Sequence, residues 1–215
     1  MKIKKISLCA AVGLFVPAMT SYAAVVFSEK FDNSTGTDAA LSTIGWKANL
    51  DSTAVVAGIS SVPTATPVVS VNKHVFFLTP GATPAGRPVM IWTDKRSVQK
   101  IGNLSSITNI HFVLGTQNTS EAVKVAVKVN DAWYVSRTVF NGNGDNALTQ
   151  TNDFAVQGAV WNSLNFVSGS VLEEAGEAVL PMSEPVQAVG FFDASRTSAN
   201  RLRIDTLEIS NADGE

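Results

Sequence analysis

Eight residues in the middle of the chain, Ala122–Val129, alternate without a break. Val123, Val125, Val127 and Val129 fall on one side, and Ala122, Lys124, Ala126 and Lys128 on the other. Successive side chains of an extended backbone point to opposite faces, so this pattern reads as a β-strand with one face buried. The same period recurs at residues 25–31, 75–78, 89–92, 107–114, 133–140, 160–167, 186–192 and 202–209. Turn residues separate these runs, among them Thr79-Pro80-Gly81, Asn130-Asp131, Asn141-Gly142-Asn143-Gly144 and Ser168-Gly169, and each supplies backbone that a strand cannot continue. Helical periodicity is nearly absent. Only residues 172–180 suit a short helix, and Gly176 weakens that reading. Many short strands joined by polar turns indicate an all-β sandwich or barrel. With no internal repeat and no long linker, residues 24–210 read as one domain, 211–215 as a short polar tail and 60–67 as a surface loop.

The first 23 residues read differently. Lys2, Lys4 and Lys5 precede an apolar stretch over residues 6–16, Pro17 breaks it, and Ser21-Tyr22-Ala23 offers small residues at a cleavage point. That layout predicts a secretory signal peptide over residues 1–23 and a product that is periplasmic or extracellular. The apolar run is shorter than the roughly 20 residues a membrane-spanning helix needs. The leader holds three of the 16 basic residues and none of the 18 acidic ones, so the remainder is more acidic than the whole chain at −2. An acidic surface argues against nucleic acid and anionic lipid as partners. Cys9, the one cysteine, lies within the leader. Disulfides, thiolate chemistry and cysteine metal sites are therefore not expected in the exported domain.

Phe27-Ser28-Glu29-Lys30-Phe31-Asp32 is followed by Gly45-Trp46, and Arg203-Ile204-Asp205-Thr206-Leu207-Glu208-Ile209 stands near the end. These segments resemble the opening and closing strands of the jelly-roll sandwich found in carbohydrate-binding modules and galactose-binding-like domains. The resemblance implies a single antiparallel jelly-roll and a glycan as partner. It also implies a structural calcium where the first and last strands pair, with Glu29, Asp32 and Asp205 as oxygen ligands of the kind calcium takes. Parity agrees in placing Glu29 with Val25, Phe27 and Phe31, where a carboxylate must be paired or metal-bound; a salt bridge from Glu29 to Arg201 or Arg203 is the other solution. Asn141-Gly142-Asn143-Gly144-Asp145-Asn146 lacks the sixth-position glycine of a calcium loop and reads as a strand connection.

Sugar binding needs exposed aromatic faces. Tyr134 alternates with Ser136 and Thr138, Trp161 with Ser163 and Asn165, and His111 lies opposite Ile110 and Phe112. Parity thus predicts Tyr134, Trp161, His111 and Asn165 as a ligand-binding set on one open sheet face, with Trp133 in the core beside Val135. Arg137, on the parity of Trp133, is expected to pair with Asp131 or Asp145. Catalytic patterns are missing: no Glu-x-Asp-x-Glu strand, no His-Glu-x-x-His and no Gly-x-Ser-x-Gly. The expectation is a secreted, non-catalytic carbohydrate-binding domain. A structural or adhesive surface protein with protein partners and a polysaccharide-cleaving enzyme are the alternatives.

Overall fold

A computed structural model describes residues 23–31, 39–49, 68–69, 75–77, 88–95, 98–116, 119, 122–142, 144, 148–167, 171–194 and 202–212. The expected leader up to residue 22, Asp32, Asp145, Arg201, the loop 60–67 and the last three residues of the tail lie outside that set. The strands are β1 (Ala24–Glu29), β2 (Ala39–Ala40), β3 (Trp46–Ala48), β4 (Val68–Val69), β5 (Val75–Phe77), β6 (Val89–Thr93), β7 (Ile107–Thr116), β8 (Ala122–Val129), β9 (Ala132–Ser136), β10 (Phe140–Asn141), β11 (Gln150–Ala155), β12 (Trp161–Val167), β13 (Val171–Ala178), β14 (Val186–Asp193) and β15 (Leu202–Asn211). They form two antiparallel sheets. The first runs β11-β7-β15-β5-β4-β2, with β1 also on β15; the second runs β13-β12-β9-β8-β14-β6-β3, with β10 also on β8. The chain passes repeatedly from one sheet to the other, and the protein is an all-β sandwich of jelly-roll type. Among the described residues no helix is long and apolar enough to cross a membrane.

The valines of β8 face inward as their alternation requires, all four essentially inaccessible. Against them the first sheet packs Ile110, Phe112, Leu114, Phe154, Ile204, Leu207 and Ile209. An aromatic path stitches the layers: Phe191 to Phe112 at 4.9 Å, Phe112 to Phe140 at 4.9 Å, Phe140 to Phe154 at 6.0 Å and Phe154 to Trp161 at 5.4 Å, every contact edge-to-face. That geometry sets a positive ring edge on a negative ring face, worth about 0.5–1.5 kcal/mol per pair beyond burial. Between β8 and β9, Asn130 and Asp131 take φ of 48° and 61°, the left-handed pair that a two-residue hairpin turn demands.

Three elements differ from the sequence reading. Residues 171–178 form strand β13, not a short helix; pairing with β12 from Val167↔Val171 to Trp161↔Ala178 overrides the weak helical preference of its acids. Gln150–Ala155 is a strand that its polar residues conceal, with Asn152 and Phe154 inward and Thr151 and Asp153 outward. The single run expected over 133–140 is broken after Ser136, whose hydroxyl donates to the Thr138 carbonyl and accepts from the Val125 N–H.

Candidate functional site

The second sheet buries apolar side chains on both faces. Besides the sandwich core, its outer face carries a separate cluster: Met90, Ala126, Trp133, Val135, Leu164, Leu172, Ala188 and Phe192, with Trp92 packed against it. An outer face is ordinarily polar, so a second apolar layer there needs an explanation.

Two cross-sheet contacts show the shape of this face. Trp92 on β6 and Phe166 on β12 are four strands apart, roughly 19 Å along a flat sheet, yet their ring centroids are 5.4 Å apart. Lys124 on β8 and Glu174 on β13 are three strands apart, roughly 14 Å when flat, yet the ammonium lies 2.5 and 2.6 Å from the two carboxylate oxygens. Side-chain reach closes only part of those spans. The sheet therefore curls, and this face is concave.

Small residues give Trp92 its place. It stands in register with Gly190, and Gly190 with Ala126. A Cβ at Gly190 would lie 2.0 Å from the Ile91 carbonyl oxygen and 2.8 Å from the Trp92 Cα. Across these short positions Trp92 meets Trp133 at 5.8 Å and 72°, and Phe166 at 84°. The three rings line a cleft of about 670 Å³ with Asp94, Lys128, Pro185, Val186, Gln187 and Ala188, a volume suited to a small ligand. Phe166 is 37% exposed and Trp133 9%.

The polar groups at its margin are held in place. Lys128 donates to Asp131 at 2.9 Å, Gln187 accepts the Asp131 N–H at 2.8 Å, and Lys47 donates to Asp94 at 2.6 Å. The hydrogen bond from Lys128, with its charge, holds the Asp131 carboxyl below the usual range. Each charge at the cleft has an opposite partner.

The set expected from parity is not assembled. Trp161 is 3% exposed and packs in the sandwich core, and Tyr134 is half-buried against the same core. His111 lies on the outer side of the other sheet, where its Nδ1 is 2.9 Å from Asp153; that hydrogen bond, then one from Asn109, keeps the Asp153 carboxyl below its usual range. Asn165 is exposed. Trp133, expected in the sandwich core, instead borders the cleft. Arg137 pairs with Glu177 at 3.1 Å, while Asp131 is taken by Lys128. Parity leaves Trp92 undecided and sets Phe166 on the core side, yet both line the cleft. On β6 the signal is Met90 and Trp92 alternating with Val89 and Ile91, apolar on both parities; on β12 Ser163 and Asn165 opposite Leu164 and Phe166 hide it.

The calcium set does not fit Glu29. Its Oε2 accepts from Lys95 and from the Trp46 indole, at 2.6 and 3.0 Å, and its Oε1 accepts the Phe31 N–H at 3.0 Å. A lysine ammonium thus stands where a cation was expected, and Lys95 rather than an arginine is the partner. A β-bulge shifts the register between Asp205 and Leu207, with Thr206 at φ 49°. That extra residue takes Asp205 off the inward parity of Leu207 and Ile209, and its Oδ1 accepts the Thr206 N–H at 2.7 Å. Among the described residues no group of three or more His, Cys, Asp or Glu is placed to hold a metal ion. Lys95→Met should therefore destabilise the fold by about 1–3 kcal/mol, by stranding a partly buried carboxylate. Calorimetry with and without chelator checks this: a chelator-dependent melting temperature in the unsubstituted protein would restore calcium to the site.

No protein-family model and no curated protein matches the chain. Solved structures that resemble it include three of different kinds. One is the CBM2 module of the evolved Dit protein from Lactobacillus casei BL23 phage J-1, at 9% identity over 90% of this chain and 97% of that one, TM-score 0.38. Another is a Bacillus licheniformis β-glucanase, at 8% identity over 85% and 96%, TM-score 0.33. A third is the K3 adhesin domain of Lys-gingipain from Porphyromonas gingivalis, at 13% identity over 88% and 99%, TM-score 0.37. A binding module, an enzyme and an adhesin share this likeness, and at such scores it carries no functional argument.

Proposed function

We propose that the chain is a secreted, non-catalytic carbohydrate-binding domain whose concave sheet face holds a glycan against Trp92, Phe166 and Trp133. The observation that carries this reading is the aromatic-walled cleft itself. Sugar C–H groups pack on ring faces, and the hydroxyls exchange hydrogen bonds with rim side chains such as Lys128 and Asp94. Charge balance at the rim favours an uncharged glycan. The acids on this face support binding over hydrolysis, because Asp94 is tied to Lys47 and Glu174 to Lys124 and Asn162. Export rests on the leader pattern of the first 23 residues.

Affinity electrophoresis in gels containing neutral soluble polysaccharides tests the reading. The protein should be retarded by at least one of them. Phe166→Ala should abolish that retardation with little change in melting temperature, because the ring is partly exposed. Undiminished retardation of both Phe166→Ala and Trp92→Ala would move the ligand elsewhere.

A further inference from the structure

The angles between the rings bear on the physical state of the ligand, an inference that rests on the glycan-binding reading above. A crystalline polysaccharide presents a flat face, and gripping it requires aromatic rings that are coplanar with one another and stand proud of the surface. Here Trp92 is turned 72° from Trp133 and 84° from Phe166. No ring plane of either pair can lie on the same flat face. The rings also sit inside the curl of the sheet, with Trp133 only 9% exposed, where a crystal face cannot descend. The rim groups lie on several strands: Asp94 follows β6, Lys128 is on β8 and Gln187 on β14.

We propose that the cleft takes an individual, solvated glycan chain and rejects the same polymer when it is packed in a crystal. A chain segment entering the cleft meets Trp92 on one wall and Phe166 on the wall nearly perpendicular to it. It is contacted on two sides of a sugar ring rather than on one. Such a ligand has to be free of its neighbours on both those sides. A strand within a crystalline face is not.

The test uses the full domain and polymers offered in two physical states. Hydroxyethyl cellulose, glycol chitin, xylan and a soluble β-glucan form one arm, read by affinity electrophoresis and by the shift in tryptophan fluorescence. Microcrystalline cellulose and crystalline chitin particles form the other, read by loss of protein from the supernatant. Retardation by a soluble polymer, with no depletion by the particles, is the expected result, and Trp92→Ala should lose both the retardation and the fluorescence shift. Depletion by the particles as strong as the soluble binding would overturn the single-chain inference and leave glycan binding standing. Binding in neither arm would overturn the glycan-binding reading and this inference with it.

Discussion

Replacing Trp161 with alanine should cost the fold about 3–5 kcal/mol, the loss expected for a buried large aromatic. The ring is 3% exposed and ends the five-ring path that joins the two sheets through Phe154. Truncation would leave a void that the neighbouring rings cannot fill, since each is held by an edge-to-face partner of its own. Urea denaturation measures the change directly. A loss within about 0.5 kcal/mol, the size typical of surface substitutions, would mean that the ring is not in the core, and the outward-facing assignment from parity would return.

An even larger effect is expected at Gly190. Alanine there would set its Cβ 2.0 Å from the Ile91 carbonyl oxygen and 2.8 Å from the Trp92 Cα. Both are backbone atoms, so no side-chain rotation relieves the clash. β14 and β6 would have to part where Gly190 pairs with Trp92, and β14 also carries β8 on its other side. Gly190→Ala should cost more than about 4 kcal/mol, placing it in the exceptional tail of single substitutions. A variant as stable as the original would show that the two strands are not pinched together. Trp92 would then lack the support assigned to it.

Most of the longer strands are legible in the sequence, β11 and β13 excepted, because period-2 alternation is a property of the extended backbone itself. Which face of a strand points inward was legible only where one parity was plainly polar. In β8 the lysines decide it, and the valines are buried as expected. In β9 both parities are bulky: Trp133 and Val135 against Tyr134, with Ser136 and Thr138 beyond. The inference that the more apolar parity faces the core inverted the strand, because the outer face of this sheet is itself apolar. β12 failed in the same way, with Leu164 and Phe166 outward and Trp161 inward. Asp205 shares the parity of Leu207 and Ile209 in an unbroken strand and leaves it for a separate reason. A one-residue bulge leaves no mark in the alternation, yet it changes the phase of everything beyond it. The parity of Glu29 demands a partner, and it has one; Lys95 is 66 residues away in sequence, so only the folded chain could identify it.

The pairing of β1 with β15 has a consequence for attachment. Ala24 lies opposite Asn211, so the two ends of the sandwich leave side by side from the same sheet. The cleft is on the outer surface of the other sheet. A tether joined beside Ala24 or Asn211, to a matrix, a bead or another protein, would meet the domain at strand ends of the layer that does not carry the aromatic cleft. Several copies strung end to end would each be joined through adjacent strand ends of the layer opposite the cleft, and linker length would set the spacing between ligand sites. Immobilisation beside Ala24 or Asn211 is therefore the attachment expected to keep the cleft open in a binding measurement.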